Sequence, residues 1–273
     1  MGRPLMKFSS TAPDDIEPFL RDSDWHLQQK IDGIRARLVV EGKYAEVIGN
    51  TGDPLVSTTA APVTRDILNY AMRNPGCYSL EGEIVGRTWW LFDMPLPDTP
   101  WVQRLNTLHT RMRHCFETWI KLVPTYMTEA DKGYAWEQIK RHGVEGAVLK
   151  HVKSKVQDGG KRAKDVLKCK VTHTADVVVY ERGPGNGKDG TGNWLKFGIF
   201  RPNGTMIELG RCSTIGKPYA KVGDVIEVKY LYVGNGMKLV QPTHLRNRPD
   251  KEPTPTECGL SQLHYVNKKV LEV

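Results

Sequence analysis

The sequence predicts an α+β protein in two parts, a mixed segment followed by an all-β segment. From about Trp25 to Val171, strand-like stretches alternate with helical ones, whereas strand-like runs and turns dominate from Thr172 onward. The chain has 273 residues, which is enough for one large domain or two ordinary ones. We therefore expect a first domain at residues 1–172 and a second at residues 173–273.

The first segment contains hairpin and helix signals in turn. Glu41-Gly42-Lys43 separates two strand-like runs, which indicates a hairpin. Apolar residues at Val63, Ile67, Leu68 and Met72 have the spacing of a helix face. By the same reasoning, further strands are predicted at 78–86, 89–96, 145–152 and 165–171, and further helices at 103–120 and 135–143.

The second segment contains five strand candidates, at 175–183, 194–202, 206–212, 225–233 and 238–245. Asn203-Gly204 between two of them is a strong hairpin turn. Five short strands in roughly a hundred residues predict a small barrel, for which the OB-fold is the obvious candidate. The glycine-rich stretch 183–193 does not match a phosphate-binding loop and is interpreted as a hairpin loop. The tail 252–273 cannot be placed.

Composition restricts the class of protein. A net charge of +8 and a pI of about 9.2 favour a polyanionic partner, although an ordinary solvated surface would carry the same charge. No apolar run is long enough to cross a membrane, and the N-terminus lacks the apolar core of a signal peptide. The five cysteines form no C-x-x-C pair, so we expect buried, reduced thiols in a cytoplasmic protein.

Lysines carry the first chemical signal. Lys30 lies in the stretch Gln29–Arg35, and Lys168 and Lys170 are two residues apart on a predicted strand. Side chains at i and i+2 point to one face of a strand, so these two cations would repel each other unless an anion such as a triphosphate lay between them. A lysine that attacks phosphorus must lose its proton, which neighbouring cations and desolvation favour. Taken alone, the pair also fits a solvated strand face.

Carboxylates and one aromatic residue carry the second signal. Glu81 and Glu83 share a strand face, and Glu145 precedes a glycine. Carboxylates bind Mg²⁺ and accept hydrogen bonds from ribose hydroxyls, so a metal would allow them to share a pocket with phosphates. Phe92, next to Asp93, is either a core residue or a platform for a base.

The order of these elements is more specific than any one of them. Lys-x-Asp-Gly-x-Arg is followed by an acid-Gly-Glu strand, Phe-Asp, Glu-Gly-x-x-x-Lys, Leu-Lys-x-Lys and finally Arg248-Pro249-Asp250-Lys251. This series, spanning about residues 28–251, resembles the covalent nucleotidyltransferases, the superfamily of DNA ligases, RNA ligases and mRNA capping enzymes. Its last element resembles ATP-dependent DNA ligases specifically. The resemblance implies an ATP-grasp-like nucleotidyltransferase domain with antiparallel sheets and helices, followed by an OB-fold domain.

The resemblance also implies roles for individual residues. Lys30 matches the nucleophile that takes AMP from ATP, and Asp32 matches the acid that supports it. Glu145 and Asp32 match the positions that hold Mg²⁺. The remaining matches would bind the substrates: Arg35 the ribose and the nick phosphate, Glu83 the ribose, Phe92 the base by stacking, Lys168 and Lys170 the α-phosphate, and Arg248, Asp250 and Lys251 the leaving pyrophosphate. Gln28 departs from the family, since it stands where many members have a glutamate that contacts the adenine amino group, but its side-chain oxygen can accept the same hydrogen bond. Gly33 is expected to allow a tight turn.

The expected activity is therefore a minimal DNA ligase, a monomer that seals nicked duplex DNA. Departures from the family pattern concern the nucleotide pocket: Glu81 stands where an aspartate is usual, and Asn50 stands where an arginine is common. Arg37 is a candidate to replace that arginine. An RNA ligase or a capping guanylyltransferase is the first alternative. A non-catalytic OB-fold protein that only binds nucleic acid is the second.

Overall fold

The computed structural model describes residues 3–115, 117–184 and 193–265 and contains both helices and strands within these ranges. The α-helices are α1 (Glu17–Arg21), α2 (Ala61–Arg73), α3 (Trp101–Met112) and α4 (Glu129–Arg141). The strands are β1 (Lys7–Thr11), β2 (Trp25–Gln29), β3 (Ile34–Gly42), β4 (Tyr44–Ile48), β5 (Gly76–Val85), β6 (Thr88–Asp93), β7 (Ile120–Leu122), β8 (Thr125–Tyr126), β9 (Gly146–His151), β10 (Arg162–Lys170), β11 (His173–Pro184), β12 (Asn193–Phe200), β13 (Met206–Ser213), β14 (Val225–Tyr230) and β15 (Thr243–Asn247). The predicted α+β class is confirmed.

The strands form three five-stranded sheets in the described part of the chain. The first sheet has the order β1-β10-β9-β2-β8, the second β4-β3-β5-β6-β7 and the third β13-β12-β11-β14-β15. The expectation of antiparallel sheets is wrong for two edge pairs, because β1 pairs with β10, and β6 with β7, in parallel. The β6–β7 pair is possible because α3 lies between them and supplies the crossover that parallel strands need.

Contacts divide the chain into two units. The first unit comprises the chain up to Arg141 together with Gly146–Lys170, and it holds the first two sheets. Among the described residues, the second unit comprises His142–Glu145 and the chain from Val171 to Tyr265, and it holds the third sheet.

The second sheet buries one face against helix α2. Leu38 and Val40 alternate along β3, and Leu80 on β5 joins them in one apolar cluster. Val63 and Ile67 of α2 belong to the same cluster, as the helical spacing predicted. The hairpin between β3 and β4 is also confirmed, with Gly42 at a φ of 65° in the turn.

Helix α3 is shorter than the sequence predicted. It ends at Met112 rather than at residue 120. The downstream residues join the second sheet instead: Ile120 pairs with Trp89, and the Trp89 amide donates to the Trp119 carbonyl at 2.8 Å. The apolar residues at the end of this stretch have the spacing of a helix, yet they form an edge strand of the second sheet. Contacts with a distant strand decide this, and periodicity along the sequence does not reveal them.

A buried lysine fixes the start of the strand that leads to Lys30. The ammonium group of Lys132 on α4 donates to the carbonyls of Phe19, Asp22 and Trp25, at 3.1, 2.6 and 2.9 Å. Burial lowers the pKa of Lys132, and Asp22 and Glu129 oppose that shift. These bonds satisfy carbonyls at the end of α1 and at the first residue of β2, which holds β2 in place.

The third sheet has its own apolar core. Val177 and Val179 of β11 alternate toward the core, where they meet Leu195 and Phe197 of β12. The predicted Asn203-Gly204 turn is confirmed, because β12 pairs with β13 and Gly204 has a φ of 80°. One prediction changes, because β15 begins only at Thr243, after Pro242. The glycine-rich stretch 183–193 was predicted to be a hairpin loop, and its two ends lie in the antiparallel strands β11 and β12, while residues 185–192 lie outside the described residues. The end of the unplaced tail, from residue 266, also lies outside them.

All five cysteines are free thiols, as the sequence predicted. Cys169, Cys212 and Cys258 are buried, but Cys77 is exposed, so the expectation of burial fails there. Among the described residues, no helix is long and apolar enough to span a membrane.

Candidate active site

Three strands of the first sheet bring the predicted lysines together. Gln28 pairs with Val148, and Val148 pairs with Lys168, so these residues form one row across β2, β9 and β10. In the next row, the Lys30 amide donates to the Gly146 carbonyl at 2.8 Å, and Gly146 pairs with Lys170. Because cross-strand partners share a face and the period along a strand is two, both rows point the same way.

Gly146 keeps the centre of the second row free of a side chain. Its φ is 144°, and a Cβ atom there would lie 2.0 Å from the Cys169 carbonyl oxygen. Any other residue would therefore be both strained and in collision with β10. As a result, Lys30 and Lys170 flank a position that carries only backbone, and with half-buried Lys168 they form a cationic face. Such a face suits a polyphosphate.

The turn after Lys30 depends on close backbone approach. Ile31 is buried and belongs to a small apolar cluster, whereas Asp32 is exposed. A Cβ atom on Gly33 would lie 2.5 Å from the Ile84 carbonyl oxygen of β5. Gly33 is not among the glycines with positive φ, so the expectation of a tight-turn glycine is replaced by a steric reason.

Arg35 and Glu83 are directly opposite each other on β3 and β5. The guanidinium of Arg35 is held by buried Glu81, with Nε donating to Oε1 at 2.7 Å, and Nη1 donates to the Met6 carbonyl at 2.8 Å. Arg37 binds the other oxygen of Glu81, also at 2.7 Å from Nε. Glu81 therefore holds the Arg35 guanidinium in place. Arg35 lies directly opposite Glu83, and these two residues are the predicted ribose contacts.

The charges in this network are matched. Burial alone would raise the pKa of Glu81, but Arg35 and Arg37 lower it to about 2. Arg37 is buried as well, and its guanidinium also binds the Asp158 carboxylate, at 2.5 and 3.0 Å. Arg37 therefore binds two carboxylates, Glu81 and Asp158, and its suggested replacement of the arginine missing at Asn50 stays a prediction.

A β-bulge places Phe92. Glu81 pairs with Asp93 while Gly82 pairs with Leu91, so Phe92 is the extra residue of β6. The half-buried ring packs against the cluster that contains Ile31, directly after Lys30. Phe92 is thus both partly core and close in space to the chain next to Lys30, so the two interpretations of this residue do not exclude each other.

Lys150, at the end of the Glu-Gly-x-x-x-Lys pattern, supports that bulge from below. It is 3% exposed, and its ammonium group donates to the Phe92 carbonyl at 3.0 Å. The same nitrogen lies 3.8 Å from the ring centroid of Trp101 and 4.8 Å from that of Phe92. Burial lowers the pKa of Lys150 to about 7, against the opposing effect of Asp93.

Gln28 is oriented by β8. Its side-chain nitrogen donates to the Thr125 hydroxyl at 2.8 Å, and the residue is buried. The amide oxygen is then the atom that can accept a hydrogen bond from an adenine amino group.

In the second unit, the predicted Arg-x-Asp-Lys residues form an ionic cluster with Asp176. Arg248 binds Asp176 at 2.9 Å and Asp250 at 2.7 Å, and the ammonium of Lys251 binds Asp176 at 2.5 Å. We name these four residues the Arg248 cluster. The pKa of Asp250 is lowered to about 2 because Arg248 bonds its carboxylate. The cations are therefore already neutralised, so a phosphate would have to displace a carboxylate to reach them.

Glu145 also belongs to the second unit. It is buried, it directly precedes β9, and its carbonyl accepts from the Val171 amide at 3.1 Å. Among the described residues, no three His, Cys, Asp or Glu side chains are grouped so that they could hold a metal ion.

The sequence interpretation missed several supporting residues. Lys150 is the last residue of the Glu-Gly-x-x-x-Lys pattern but was given no role. Asp176 is a single acid before three valines, and such an acid at the start of an apolar strand indicates a buried carboxylate that needs a cationic partner. Asp158 lies in a stretch without periodicity, and nothing in the sequence points to Arg37 as its partner.

Comparison with known proteins gives a fold. No family model and no curated protein matches the chain. Among solved structures, one from a structure–function analysis of Lig E DNA ligases, whose DNA binding uses a minimal scaffold, is 18% identical and covers 91% of this chain and all of its own, with a TM-score of 0.66. The ligase domain of LigD from M. tuberculosis is 20% identical over 92% of this chain and 96% of its own, with a TM-score of 0.52. A mycobacterial DNA ligase D complexed with ATP has the same identity and coverage and a TM-score of 0.54. The chain therefore has the fold of these DNA ligases.

Proposed function

We propose that this protein is an ATP-dependent DNA ligase of minimal form, which seals nicks between a 3′-hydroxyl and a 5′-phosphate in duplex DNA. The observation that carries the proposal is the row Lys30–Gly146–Lys170, with Lys168 two residues away on the same face. It places the candidate nucleophile and Lys170 in one row on either side of a glycine, which adds no side chain of its own. The shared fold with DNA ligases supports the same assignment.

In this proposal, residues 1–172 form the nucleotidyltransferase domain and residues 173–273 the OB-fold domain. The two mixed sheets of the first unit support the former, and the five-stranded antiparallel order of the third sheet supports the latter. The protein would act as a cytoplasmic monomer on nicked DNA, in repair, replication or recombination.

The first step adenylates the protein. The Nζ of Lys30 gives up a proton to solvent and attacks the α-phosphorus of ATP. A P–N bond forms, the bond to the bridging oxygen breaks, pyrophosphate leaves, and the nitrogen releases a second proton as the phosphoramidate forms. Lys168 and Lys170 stabilise the negative charge that develops on the α-phosphate. Mg²⁺, with Glu145 and Asp32 as the proposed ligands, would further neutralise the phosphates.

The next two steps use the adenylate to join DNA. A 5′-phosphate oxygen at the nick attacks the AMP phosphorus and displaces Lys30, which converts the 5′-phosphate into a group with a good leaving group. The 3′-hydroxyl then attacks that phosphate in line, loses its proton, and AMP leaves. One phosphodiester bond is formed, and ATP becomes AMP and pyrophosphate.

Nucleotide recognition falls to the residues around the lysines. Gln28 would accept from the adenine amino group, Phe92 would stack on the base, and Glu83 with Arg35 would bind the ribose. Arg35 is preset by Glu81 for this task. In the second unit, Arg248 and Lys251 would orient pyrophosphate once phosphate oxygens replace the Asp176 carboxylate.

The decisive experiment is transfer of label from α-labelled ATP to the protein. Lys30→Ala should abolish the transfer and the sealing of a nicked duplex, because the nucleophile is gone. Lys43→Ala, which removes an exposed lysine of the β3–β4 turn, is the matched control and should behave as wild type. A Lys30→Ala protein that still takes label and seals nicks contradicts the proposal.

The same assay separates the alternative functions. Label from GTP without nick sealing would indicate a capping guanylyltransferase, and sealing restricted to RNA strands would indicate an RNA ligase. DNA binding without a covalent AMP adduct, measured by mass after incubation with ATP, would indicate a protein that only binds nucleic acid.

A further inference from the structure

The loop between β13 and β14, residues 214–224, exposes three large apolar side chains. Ile215 is 69% exposed, Tyr219 71% and Val222 56%. Single apolar residues on a surface are ordinary, but three within eight residues are a feature of binding surfaces.

This exposure does not result from a loose loop. The side-chain nitrogen of Asn247 donates to the Tyr219 carbonyl at 2.6 Å, and Arg182 donates to the Ala220 carbonyl at 2.8 Å. Ala220 itself is buried in the core of the third sheet. The middle of the 214–224 loop is thus tied to β15 and β11, so the backbone that carries the exposed Tyr219 side chain is held in place.

The Tyr219 ring is held in place as well. The guanidinium carbon of Arg182 lies 4.1 Å from the ring centroid, which is a cation–π contact. A rigid aromatic ring loses little entropy on binding, so it is a suitable contact for a partner.

Charge indicates what kind of partner this surface fits. Lys217 and Lys221 alternate with the apolar residues, and the carboxylate of Asp224, the one acid of the loop, accepts from the Lys221 amide at 2.9 Å. Lysine is depleted in protein–protein interfaces, whereas basic side chains interleaved with an aromatic residue are typical of nucleic-acid surfaces. Asn247, whose side chain binds the loop, directly precedes Arg248 of the Arg248 cluster, so the loop is anchored next to residues that we propose to bind phosphate.

We propose that the 214–224 loop is a contact surface for duplex DNA. Tyr219, Ile215 and Val222 pack against deoxyribose and base edges, and Lys217 and Lys221 neutralise phosphates. This rests on the proposed ligase function for the identity of the polyanion. None of these residues takes part in the adenylation chemistry.

Two kinds of variant should weaken binding in different ways. The probe is a nicked duplex that ends in a 3′-dideoxynucleotide, so it cannot be sealed, and its affinity is measured over a range of KCl concentrations without ATP. Tyr219→Ala should lower the affinity on the order of 10-fold at every salt concentration, without changing the salt dependence. Tyr219→Phe keeps the ring and should stay within about twofold of wild type. Lys217→Ala combined with Lys221→Ala should reduce the slope of log affinity against log salt by about two.

The controls separate this inference from the ligase proposal. Tyr134→Ala removes a similarly exposed tyrosine (64%) on α4, where Asp131 and Glu137 are near in sequence, and should leave duplex binding unchanged. Label transfer from ATP to Lys30 should be normal in every loop variant. The proposed DNA contact would be overturned if Tyr219→Ala bound the duplex as tightly as wild type. It would also be overturned if this variant lost binding to anionic vesicles while its binding to DNA was unchanged. Absence of labelling in the wild type would overturn only the ligase proposal.

Discussion

At the scale of single residues, Lys150 is a buried side chain whose pKa the fold lowers to about 7. Its ammonium lies between two aromatic rings and donates to the carbonyl of the bulged Phe92, with very little contact with water. The contacts favour a cation at this position, whereas burial disfavours it, and burial is the larger effect because the pKa falls to about 7. The ammonium group of Lys150 therefore holds the Phe92 backbone in place, but keeping a buried lysine charged costs free energy. Because the pKa is about 7, this cost depends on pH.

The pH dependence can be predicted with its sign. In the unfolded chain a lysine keeps its proton up to about pH 10.4, so between pH 7 and that value the unfolded state binds more protons than the folded one, and stability rises with pH. From pH 7 to pH 9, the free energy of unfolding of the wild type should rise by about 2 kcal/mol relative to Lys150→Met, because the methionine does not titrate. Urea unfolding at both pH values measures this difference. An equal difference between the two proteins at both pH values would show that Lys150 titrates normally.

At the scale of elements, the ionic network around Glu81 joins β3, β5 and the stretch before β10. Arg35 and Arg37 are two residues apart on β3, and Glu81 faces both from β5. Asp158 binds Arg37 and accepts from the Met6 amide at 3.2 Å, which extends the network to the segment before β1. Removing one member of a buried network leaves its partners uncompensated, which costs more than the loss of a surface pair.

Glu81→Gln tests this network. The pKa of Glu81 is lowered from 4.5 to about 2, so its stabilising effect is complete above pH 4.5 and is lost as the pH falls through 2. At pH 7 we expect the variant to be less stable by roughly 3 kcal/mol, and we expect this difference to shrink as the pH falls below 4.5. Chemical unfolding at several pH values is the measurement.

Glu117→Gln is the matched control for that substitution. Glu117 pairs with exposed Arg73 at 2.6 Å, and surface pairs contribute about 0–1 kcal/mol. A Glu81→Gln loss no larger than that of Glu117→Gln would mean that the network contributes little.

Elements differ in how far the sequence could predict them. The i and i+2 spacing of Lys168 and Lys170 was sufficient to place them on one face, and the register with Gly146 agrees. The extent of α3 was not predictable, because the end of that apolar pattern is set by Trp89 and the edge of the second sheet rather than by a local signal. Glu81 likewise obtained its partners from strand pairing 44 and 46 residues apart in sequence, which no local pattern encodes.

At the scale of the whole molecule, the two largest apolar clusters among the described residues lie in different units, which explains why the sequence changes in texture. Leu80, on β5, belongs to the core of the second sheet, whereas Phe197, on β12, belongs to that of the third. The sequence predicted alternating strands and helices in the first segment and strands alone in the second. This was possible because each of the two clusters is built from residues of one segment. The ionic clusters of Glu81 and Arg248 were not predicted, because each combines residues from distant elements.

Two cores predict that heat unfolds the chain in more than one step. A domain with its own core unfolds as its own cooperative unit, and chains of several domains commonly depart from two-state behaviour. Leu80→Ala and Phe197→Ala each remove a side chain that is fully buried, which costs roughly 2–5 kcal/mol in the unit concerned. In calorimetry, we expect Leu80→Ala to lower the temperature of one transition and Phe197→Ala that of the other. If both substitutions shifted a single transition by similar amounts, the two cores would form one cooperative unit, and a ligase built from two independently stable parts would be excluded.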